Sequence, residues 1–254
     1  MESAPSCRPR CLLETMLKRF LIRLADSIWP RNVSRQVKFE TMAVAKFSFA
    51  KFTVGAKFRG KTGLRVNVGC GPNVVDGYIN IDVVSSDPKV VFWDCRKSLP
   101  FDDDSVEVIF SEHVLEHFEY PAQSSTFLRE CHRCLVKGGV VRIVVPDGGL
   151  YLPLYDSPSW DEMVRVRPLV ECEGGYKDPW LGAVYRTKME FINAIFRQGI
   201  EHKFIYDSQT LELQMKECGF GTVRRQEYGI SASQHPPLDT EARRPESLYV
   251  EGIK

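Results

Sequence analysis

The stretch from Leu64 to Asp94 holds glycines and carboxylates at a spacing that suits a nucleoside-binding site. Gly69 and Gly71 follow an apolar run, where missing side chains would let the backbone approach a ligand, although a lone GxG pair equally fits a tight turn. Asp82 ends the next run and could accept from both hydroxyls of a ribose. Asp94 ends a third run and could accept from the exocyclic amine of adenine, while either aspartate alone also suits a helix cap or turn. Together they predict a site for an adenosine, held at ribose and base.

The glycine segment departs from the pattern of dinucleotide-binding proteins. That pattern requires G-x-G-x-x-G, a full helix and an acidic residue about 20 positions further on. Here Asn73 and Val74 follow Gly71 without a third glycine, Asp82 comes early, and the letters PNVVDGY leave room for little more than a turn. A helix N-terminus that binds pyrophosphate is therefore not expected. This disfavours a nicotinamide oxidoreductase and favours a nucleoside without phosphates.

The elements that would position these residues form an α/β pattern from Leu64 onward. The segments LRVNVG, YINID, KVVFWD, SVEVIFS and VVRIVVPD predict five strands, and residues 122–137 predict a helix closed by Gly138 and Gly139. This order predicts a doubly wound, mostly parallel sheet, whose ligands lie beyond the carboxyl ends of the strands. The residues at those ends are Gly69, Gly71, Asp82, Asp94, Ser111 and Asp147.

From about Leu64 to Phe220, the sequence resembles the class I S-adenosylmethionine-dependent methyltransferases, specifically the small methyltransferase type 11 group. The segments VNVGCGP, IDV, WDCRKSLPFDDDSVEVIFSEHVLEHF and LRECHRCLVKGGVVRIVVPD follow the order and spacing of that family's motifs. The segments EHKFIYDSQTLELQMKECGFGTV and RRPESLYVEGIK are similar to its last helix, sixth strand and closing strand. The resemblance implies the class I fold, a mostly parallel seven-stranded sheet, and an enzyme that transfers methyl groups.

By this resemblance the cofactor is S-adenosylmethionine. The resemblance also implies the residues around it: Gly69, Cys70 and Gly71 beside the methionyl part, Asp82 at the ribose, Asp94 and the main-chain amide of Cys95 at the adenine, and Ser111 and His113 on the sulfonium side.

Two histidines are candidate bases if the acceptor is a hydroxyl. His113, just after the fourth strand, and His202 carry imidazoles that titrate near working pH, although His113 could equally cap or pack a helix and His202 could only orient a loop. The letters HVLEH also resemble the E-x-x-E-H metal site of some methyltransferases, so His113, Glu116 and His117 could chelate a divalent ion. The state expected there is a polar network without a metal.

The predicted N-terminal arm, residues 1–62, precedes a methyltransferase domain of residues 63–254. Residues 1–63 hold 13 Lys and Arg against 4 Asp and Glu, while the rest of the chain carries a net charge of −8. Residues 11–29, with Pro30 as the stop, predict an amphipathic helix that packs on the body or lies on a membrane surface or a partner. Residues 46–59 alternate apolar with basic or small side chains, which predicts an exposed strand or a loop.

Composition limits the partners and the location. The acidic body argues against a nucleic-acid substrate. The eight cysteines are scattered and no segment resembles a secretory signal, which predicts a cytoplasmic protein. An organelle transit peptide is the alternative, because the first residues include arginines and few acids. The oligomeric state is not specified by any feature of the sequence.

Residues 148–206 form an insertion rich in aromatic residues, directly after the fifth strand. It could be a small cap that packs on itself, or a lid that excludes water and shapes an acceptor pocket. The predicted function is methyl transfer to a small molecule or to a glycan or lipid precursor. The alternatives are a non-catalytic S-adenosylmethionine-binding protein and a metal-assisted methyltransferase.

Overall fold

The computed structural model describes residues 35–85 and 87–254. The amphipathic helix predicted for residues 11–29, with its stop at Pro30, lies outside them. Two compact units are present, Met1–Ser48 and Phe49–Lys254, and the division falls within the first helix. The domain boundary predicted between residues 62 and 63 stays a prediction. Within the described residues, no helix combines the length and hydropathy that crossing a membrane requires.

Residues 46–59 are largely helical, so the prediction of a strand or loop was wrong. They belong to α1, Arg35–Phe58. Its buried side chains are those of Ala43, Phe47, Ala50 and Phe58. Steps of three, four or eight residues keep a side chain on one helix face. The helical spacing of the buried residues therefore identifies this segment as a helix, and the alternation of apolar with basic or small residues does not reflect a strand.

A seven-stranded sheet forms the centre of the second unit. Its strands are β1 Leu64–Val68, β2 Ile79–Asp82, β3 Val91–Phe92, β4 Val106–Glu112, β5 Leu135–Pro146, β9 Thr222–Gln226 and β10 Ser247–Ile253. Their order across the sheet is β3-β2-β1-β4-β5-β10-β9. All neighbours are parallel except β10, which is antiparallel to β5 and β9. This confirms the predicted doubly wound, mostly parallel sheet of the class I fold.

The helices and the short strands of the insertion complete the fold. The helices that follow α1 are α2 Ala122–Cys134, α3 Gly148–Leu154, α4 Asp161–Val166, α5 Lys188–Arg197 and α6 Ser208–Glu217, with 3-10 helices at Leu115–His117 and Glu241–Arg243. Residues 140–146 of β5 are buried without interruption, so both faces of the sheet are covered there. No helix occurs among the described residues between β1 and β3, as the short PNVVDGY segment predicted.

The glycines expected to close the helix after residue 137 lie instead inside β5. The helix α2 ends at Cys134, and Gly138 and Gly139 belong to the strand, beside a shift in the pairing of β4 with β5. Gly138 has φ 80°. A Cβ on Gly139 would lie 2.9 Å from the Val136 carbonyl oxygen and 3.2 Å from that of Glu107. Gly138 is therefore required by its positive φ and Gly139 by close backbone contacts within the sheet, and neither closes the helix.

The insertion of residues 148–206 has its own apolar core. It contains α3, α4, α5 and a three-stranded antiparallel sheet of β6 Val170–Cys172, β7 Gly175–Lys177 and β8 Val184–Tyr185. The buried side chains of this core are Tyr151, Leu154, Met163, Val166, Leu169, Tyr185, Phe191, Ile192 and Ile195. Three aromatic residues of the insertion, Tyr151, Tyr185 and Phe191, thus pack within the insertion itself, which fits a cap and leaves its part as a lid a prediction.

Candidate active site

The glycine loop after β1 is tied to the carboxyl end of β2. The N–H groups of Gly69 and Cys70 donate to the Ile81 carbonyl oxygen at 2.8 and 3.2 Å. The N–H of Gly71 donates to Asp82 Oδ2 at 2.9 Å, while Asp82 Oδ1 accepts from the main chain at Ser85 at 2.9 Å. The structure therefore brings together the glycines and the first aspartate of the predicted site. The carboxylate is held at the strand end in a fixed orientation.

The two glycines are required for different reasons. Both have positive φ, 66° at Gly69 and 50° at Gly71. A Cβ on Gly69 would overlap the Val114 side chain, so packing within the protein already excludes a side chain there. A Cβ on Gly71 would meet no protein atom within 4 Å. Only Gly71 therefore faces open space in which a ligand can approach the backbone.

Buried asparagines shape the turn after the glycine loop and were missed in the sequence. Asn67 Nδ2 donates to Asn80 Oδ1 and to the Asn73 carbonyl oxygen, each at 3.0 Å. Asn80 in turn bonds the N–H and carbonyl of Val75 at 3.0 and 2.9 Å. These side-chain hydrogen bonds stabilise the β1–β2 connection, in which the described residues form no helix. The signal that could have revealed them is a polar residue inside each of two otherwise apolar strands.

Asp94 is buried and bound by a neighbour that the sequence interpretation overlooked. Arg96 Nε and Nη2 donate to its two carboxylate oxygens at 2.8 and 3.0 Å. An adenine amine at Asp94 must therefore share the carboxylate with Arg96 or displace it. The basic pair in the letters WDCRK was the available signal.

The two cysteines of the predicted site are buried thiols. Burial, with Asp82 nearby, raises the pKa of Cys70 to about 11, and burial also raises the pKa of Cys95. Neither side chain is a thiolate near neutral pH, so neither is an activated nucleophile.

Two polar residues mark the carboxyl ends of β4 and β5. Ser111 is buried, and its Oγ has no hydrogen-bond partner among the described residues. An unpaired buried hydroxyl at this edge suits a polar ligand group. Asp147 instead caps α3, because its side chain accepts from the Leu150 N–H, and it also contacts Arg225 Nη2 at 3.3 Å.

His113 bridges two polar side chains directly after β4. Its φ is 53°, and its N–H donates to the Val144 carbonyl oxygen at 2.8 Å. Its Nδ1 lies 3.3 Å from Glu116 Oε1, and its Nε2 lies 3.0 Å from Ser247 Oγ. Ser247, the first residue of β10, was not singled out in the sequence, because it is 134 positions away. The imidazole is thus oriented between a carboxylate and a hydroxyl.

His202 joins Glu116 and His117, although the sequence pattern grouped His113 with them. One potential ligand atom from each of Glu116, His117 and His202 lies within 4.8 Å of the others. His113 contacts Glu116 but is not one of these three ligands, and residues 115–117 form a 3-10 helix that begins after it, so the α-helical face assumed for HVLEH does not exist. Burial by itself raises the pKa of Glu116, but the three nearby histidines lower it overall, and burial lowers the pKa of His202.

A buried ionic cluster ties the insertion to the residue before β10. Arg167 donates to Glu246 at 2.7 Å and to Asp178 at 3.0 Å. Glu246 also accepts from Tyr151 Oη and from Arg243, each at 2.8 Å. Burial raises the pKa of Glu246, and the opposing effects of Arg167 and Arg243 hold it below its usual value. Because Ser247 contacts His113, this cluster connects the insertion to the candidate site.

These positions together fit the predicted cofactor. The carboxyl ends of β1, β2 and β4 present an oriented carboxylate, open space at a glycine, and an unpaired hydroxyl. Those are the groups that a ribose and a polar chain attached to it require.

Part of the chain matches a known family model. Residues 81–143, about a quarter of the chain, match the family model described as a methyltransferase domain. This segment contains Asp82, Asp94, Ser111 and His113, whereas the glycine loop and His202 lie outside it. The match supports the resemblance to methyltransferases found in the sequence.

Among solved structures, the chain is similar to S-adenosylmethionine-dependent methyltransferases. One is from Mesorhizobium loti, with 18% identity, coverage of 81% of this chain and 98% of that chain, and a TM-score of 0.41. Another is from Archaeoglobus fulgidus, with 16% identity, coverage of 82% and 96%, and a TM-score of 0.43. A third is Burkholderia thailandensis 1,6-didemethyltoxoflavin-N1-methyltransferase, with 13% identity, coverage of 100% and 93%, and a TM-score of 0.42. No curated protein matches the sequence.

Proposed function

We propose that this class I S-adenosylmethionine-dependent methyltransferase methylates a small molecule, or a glycan or lipid precursor, bound between the carboxyl edge of its sheet and the aromatic insertion. The observation that carries the proposal is the hydrogen bond from Gly71 to Asp82, beside open space at Gly71. It supports a cofactor site at the edge from which the insertion begins.

The cofactor residues we propose are those that the sequence identified. Their assignment is Gly69, Cys70 and Gly71 along the methionyl part, Asp82 at the ribose, Asp94 and the Cys95 amide at the adenine, and Ser111 on the sulfonium side. When bound, S-adenosylmethionine supplies an electrophilic methyl group on a sulfonium. The chain's contribution is to align the acceptor and exclude water.

His113 is the residue we favour for taking the proton of a hydroxyl acceptor. Its contact with Glu116 supports orientation of the ring, and its Nε2 faces the Ser247 hydroxyl at 3.0 Å. An acceptor hydroxyl bound in place of the Ser247 hydroxyl would lie within hydrogen-bond distance of the same nitrogen. His202 is the second candidate, since its Nδ1 is bound to the Ile195 carbonyl oxygen at 2.7 Å and Nε2 can accept a proton.

The position of the insertion supports a small acceptor. Its aromatic core and the buried cluster around Glu246 give it a fixed attachment beside His113, as a wall of an acceptor pocket requires. The acidic body supports the view that nucleic acid is not the substrate. We further propose a cytoplasmic location, with residues 11–29 as a contact to a membrane surface or partner protein.

Labelled methyl transfer to fractionated cell extract tests this function. We expect label from S-adenosylmethionine in the low-molecular-weight or lipid fraction with the wild-type protein, and none with Asp82→Ala. If calorimetry detects cofactor binding but no fraction is labelled, the chain is a non-catalytic S-adenosylmethionine-binding protein. Label confined to nucleic acid would reject the proposed acceptor class.

A further inference from the structure

A cluster next to His113 has features that methyl transfer does not account for. It consists of Glu116 and His117, from the 3-10 helix, and His202, which follows α5. One potential ligand atom from each side chain lies within 4.8 Å of the others. The rings of His117 and His202 are 4.9 Å apart and nearly perpendicular, with an interplanar angle of 81°.

Main-chain carbonyls fix the tautomer of both histidines. Nδ1 of His202 lies 2.7 Å from the Ile195 carbonyl oxygen, and Nδ1 of His117 lies 3.3 Å from that of Glu201. A carbonyl oxygen only accepts, so in the neutral ring each Nδ1 carries the proton and each Nε2 has a lone pair. Metal-binding histidines are oriented in this way, with the other ring N–H donated to a carbonyl or carboxylate.

The carboxylate of Glu116 lacks the hydrogen bonds that a buried anion requires. Its side chain is fully buried, and neither oxygen accepts a hydrogen bond within the described residues, although His113 Nδ1 lies 3.3 Å from Oε1. Burying a carboxylate in this way is unfavourable unless a cation pairs with it. His117 and His202 are only partly buried, so an ion can reach the cluster from solvent.

Main-chain hydrogen bonds hold the segment that contains His202 beside the 3-10 helix that contains Glu116 and His117. The N–H groups of Lys203 and Phe204 donate to the Glu116 carbonyl oxygen at 2.7 and 3.2 Å. The ring of Phe204 also stacks on Tyr120 at 4.1 Å. Residues 86 positions apart are thereby held in register, which reduces the conformational entropy lost when a ligand is bound.

We propose that Glu116, His117 and His202 bind a divalent transition-metal ion such as Zn²⁺ or Co²⁺. Two imidazoles and one carboxylate are the protein ligands of open metal sites, which keep a coordination position for water or another ligand. At bond lengths of about 2.0–2.1 Å, tetrahedral ligand atoms lie about 3.4 Å apart, so small side-chain rotations close the present spacing. The site shares Glu116 with the contact that orients His113, and while an ion is bound His202 is a ligand and cannot take the proton of an acceptor.

Titration of the full-length, tag-free protein with Co²⁺ alone tests the site. We expect one equivalent to bind with a visible absorption band of nitrogen and oxygen coordination, and Zn²⁺ to displace it, because Zn²⁺ binds such sites more tightly. The variants His117→Gln and His202→Gln should each weaken Co²⁺ binding at least tenfold. Both residues are partly exposed, so the fold should tolerate the substitutions.

A matched variant separates this site from other metal-binding groups. His132→Gln, whose ring packs on Phe220 outside the cluster, should bind Co²⁺ like the wild type. Circular dichroism of each variant shows that the fold is retained. The inference is overturned if the wild type binds no Co²⁺, or if the double variant H117Q/H202Q binds it with unchanged affinity and spectrum. These outcomes do not depend on activity, so the proposed methyl transfer can fail separately.

Discussion

The N–H of Gly71 donates to Asp82 Oδ2 at 2.9 Å, so the glycine loop and the first acidic residue of the site form one unit. The bond fixes the carboxylate at the carboxyl end of β2 and leaves its remaining lone pairs for a ligand. The same residue therefore organises the loop and can bind a ribose.

Replacing Asp82 by alanine should weaken S-adenosylmethionine binding by about 1–3 kcal/mol, the value of lost charge-assisted hydrogen bonds. Isothermal titration calorimetry measures the change. Asp76→Ala is the matched control, because Asp76 is exposed and pairs only loosely with Lys89, at 3.5 Å. Equal affinities of Asp82→Ala and the wild type would remove the ribose assignment.

Alanine at Gly69 should chiefly reduce stability, whereas alanine at Gly71 should chiefly reduce cofactor affinity. Gly69→Ala forces a Cβ into Val114 in addition to the strain of positive φ, and we expect the free energy of unfolding to fall by about 2–4 kcal/mol. Gly71→Ala meets no protein atom and should cost only about 1–2 kcal/mol, while cofactor affinity falls. Urea denaturation and calorimetry measure the two quantities. Full cofactor affinity in Gly71→Ala would place the ligand elsewhere.

Removal of the acting histidine should slow turnover without affecting cofactor binding. For a hydroxyl acceptor, we expect His113→Ala or His202→Ala to lower kcat at least about a hundredfold, the usual contribution of a general base. Calorimetry of the same variants should give nearly constant cofactor affinity. Normal turnover in both variants would show that no histidine base is needed, as for a thiolate or amine acceptor.

Protonation of Glu246 should loosen the attachment of the insertion at low pH. The folded pKa of this carboxyl lies below its usual value, so its stabilising contribution is present above the unfolded pKa of about 4.3 and is lost as pH falls through the folded pKa. Glu246→Gln should therefore reduce the free energy of unfolding by about 3–5 kcal/mol near pH 7 and by less at pH 3. Urea denaturation at both pH values measures this difference.

The exposed pair of Glu241 and Arg244 provides the control for Glu246. Glu241→Gln should leave stability nearly unchanged at both pH values, because exposed ion pairs contribute little. An equal loss of stability from Glu246→Gln at pH 7 and pH 3 would contradict the ionic role of Glu246.

The sequence by itself predicted the parallel sheet and the edge at which the candidate cofactor residues lie. Buried strands can be recognised in a sequence as short apolar runs, and the residue that follows each run must lie at a strand end. Gly71, Asp82, Asp94 and Ser111 could thus be assigned to one edge before any contact between them was known. The local pattern was insufficient for residues 46–59, where alternation suggested a strand and the burial of one helix face decided the structure.

Only the tertiary structure decided which side chains meet. Val114 against Gly69, Ser247 against His113 and His202 against Glu116 are contacts between residues 45, 134 and 86 positions apart. Strand order and the fold of the insertion bring these residues together, and no periodicity along the chain encodes their distances. Arg96 lies only two residues from Asp94, yet the sequence alone did not show that its guanidinium binds both carboxylate oxygens of the buried aspartate. Secondary structure follows from local sequence patterns, whereas the partners of a functional side chain follow from packing over the whole chain.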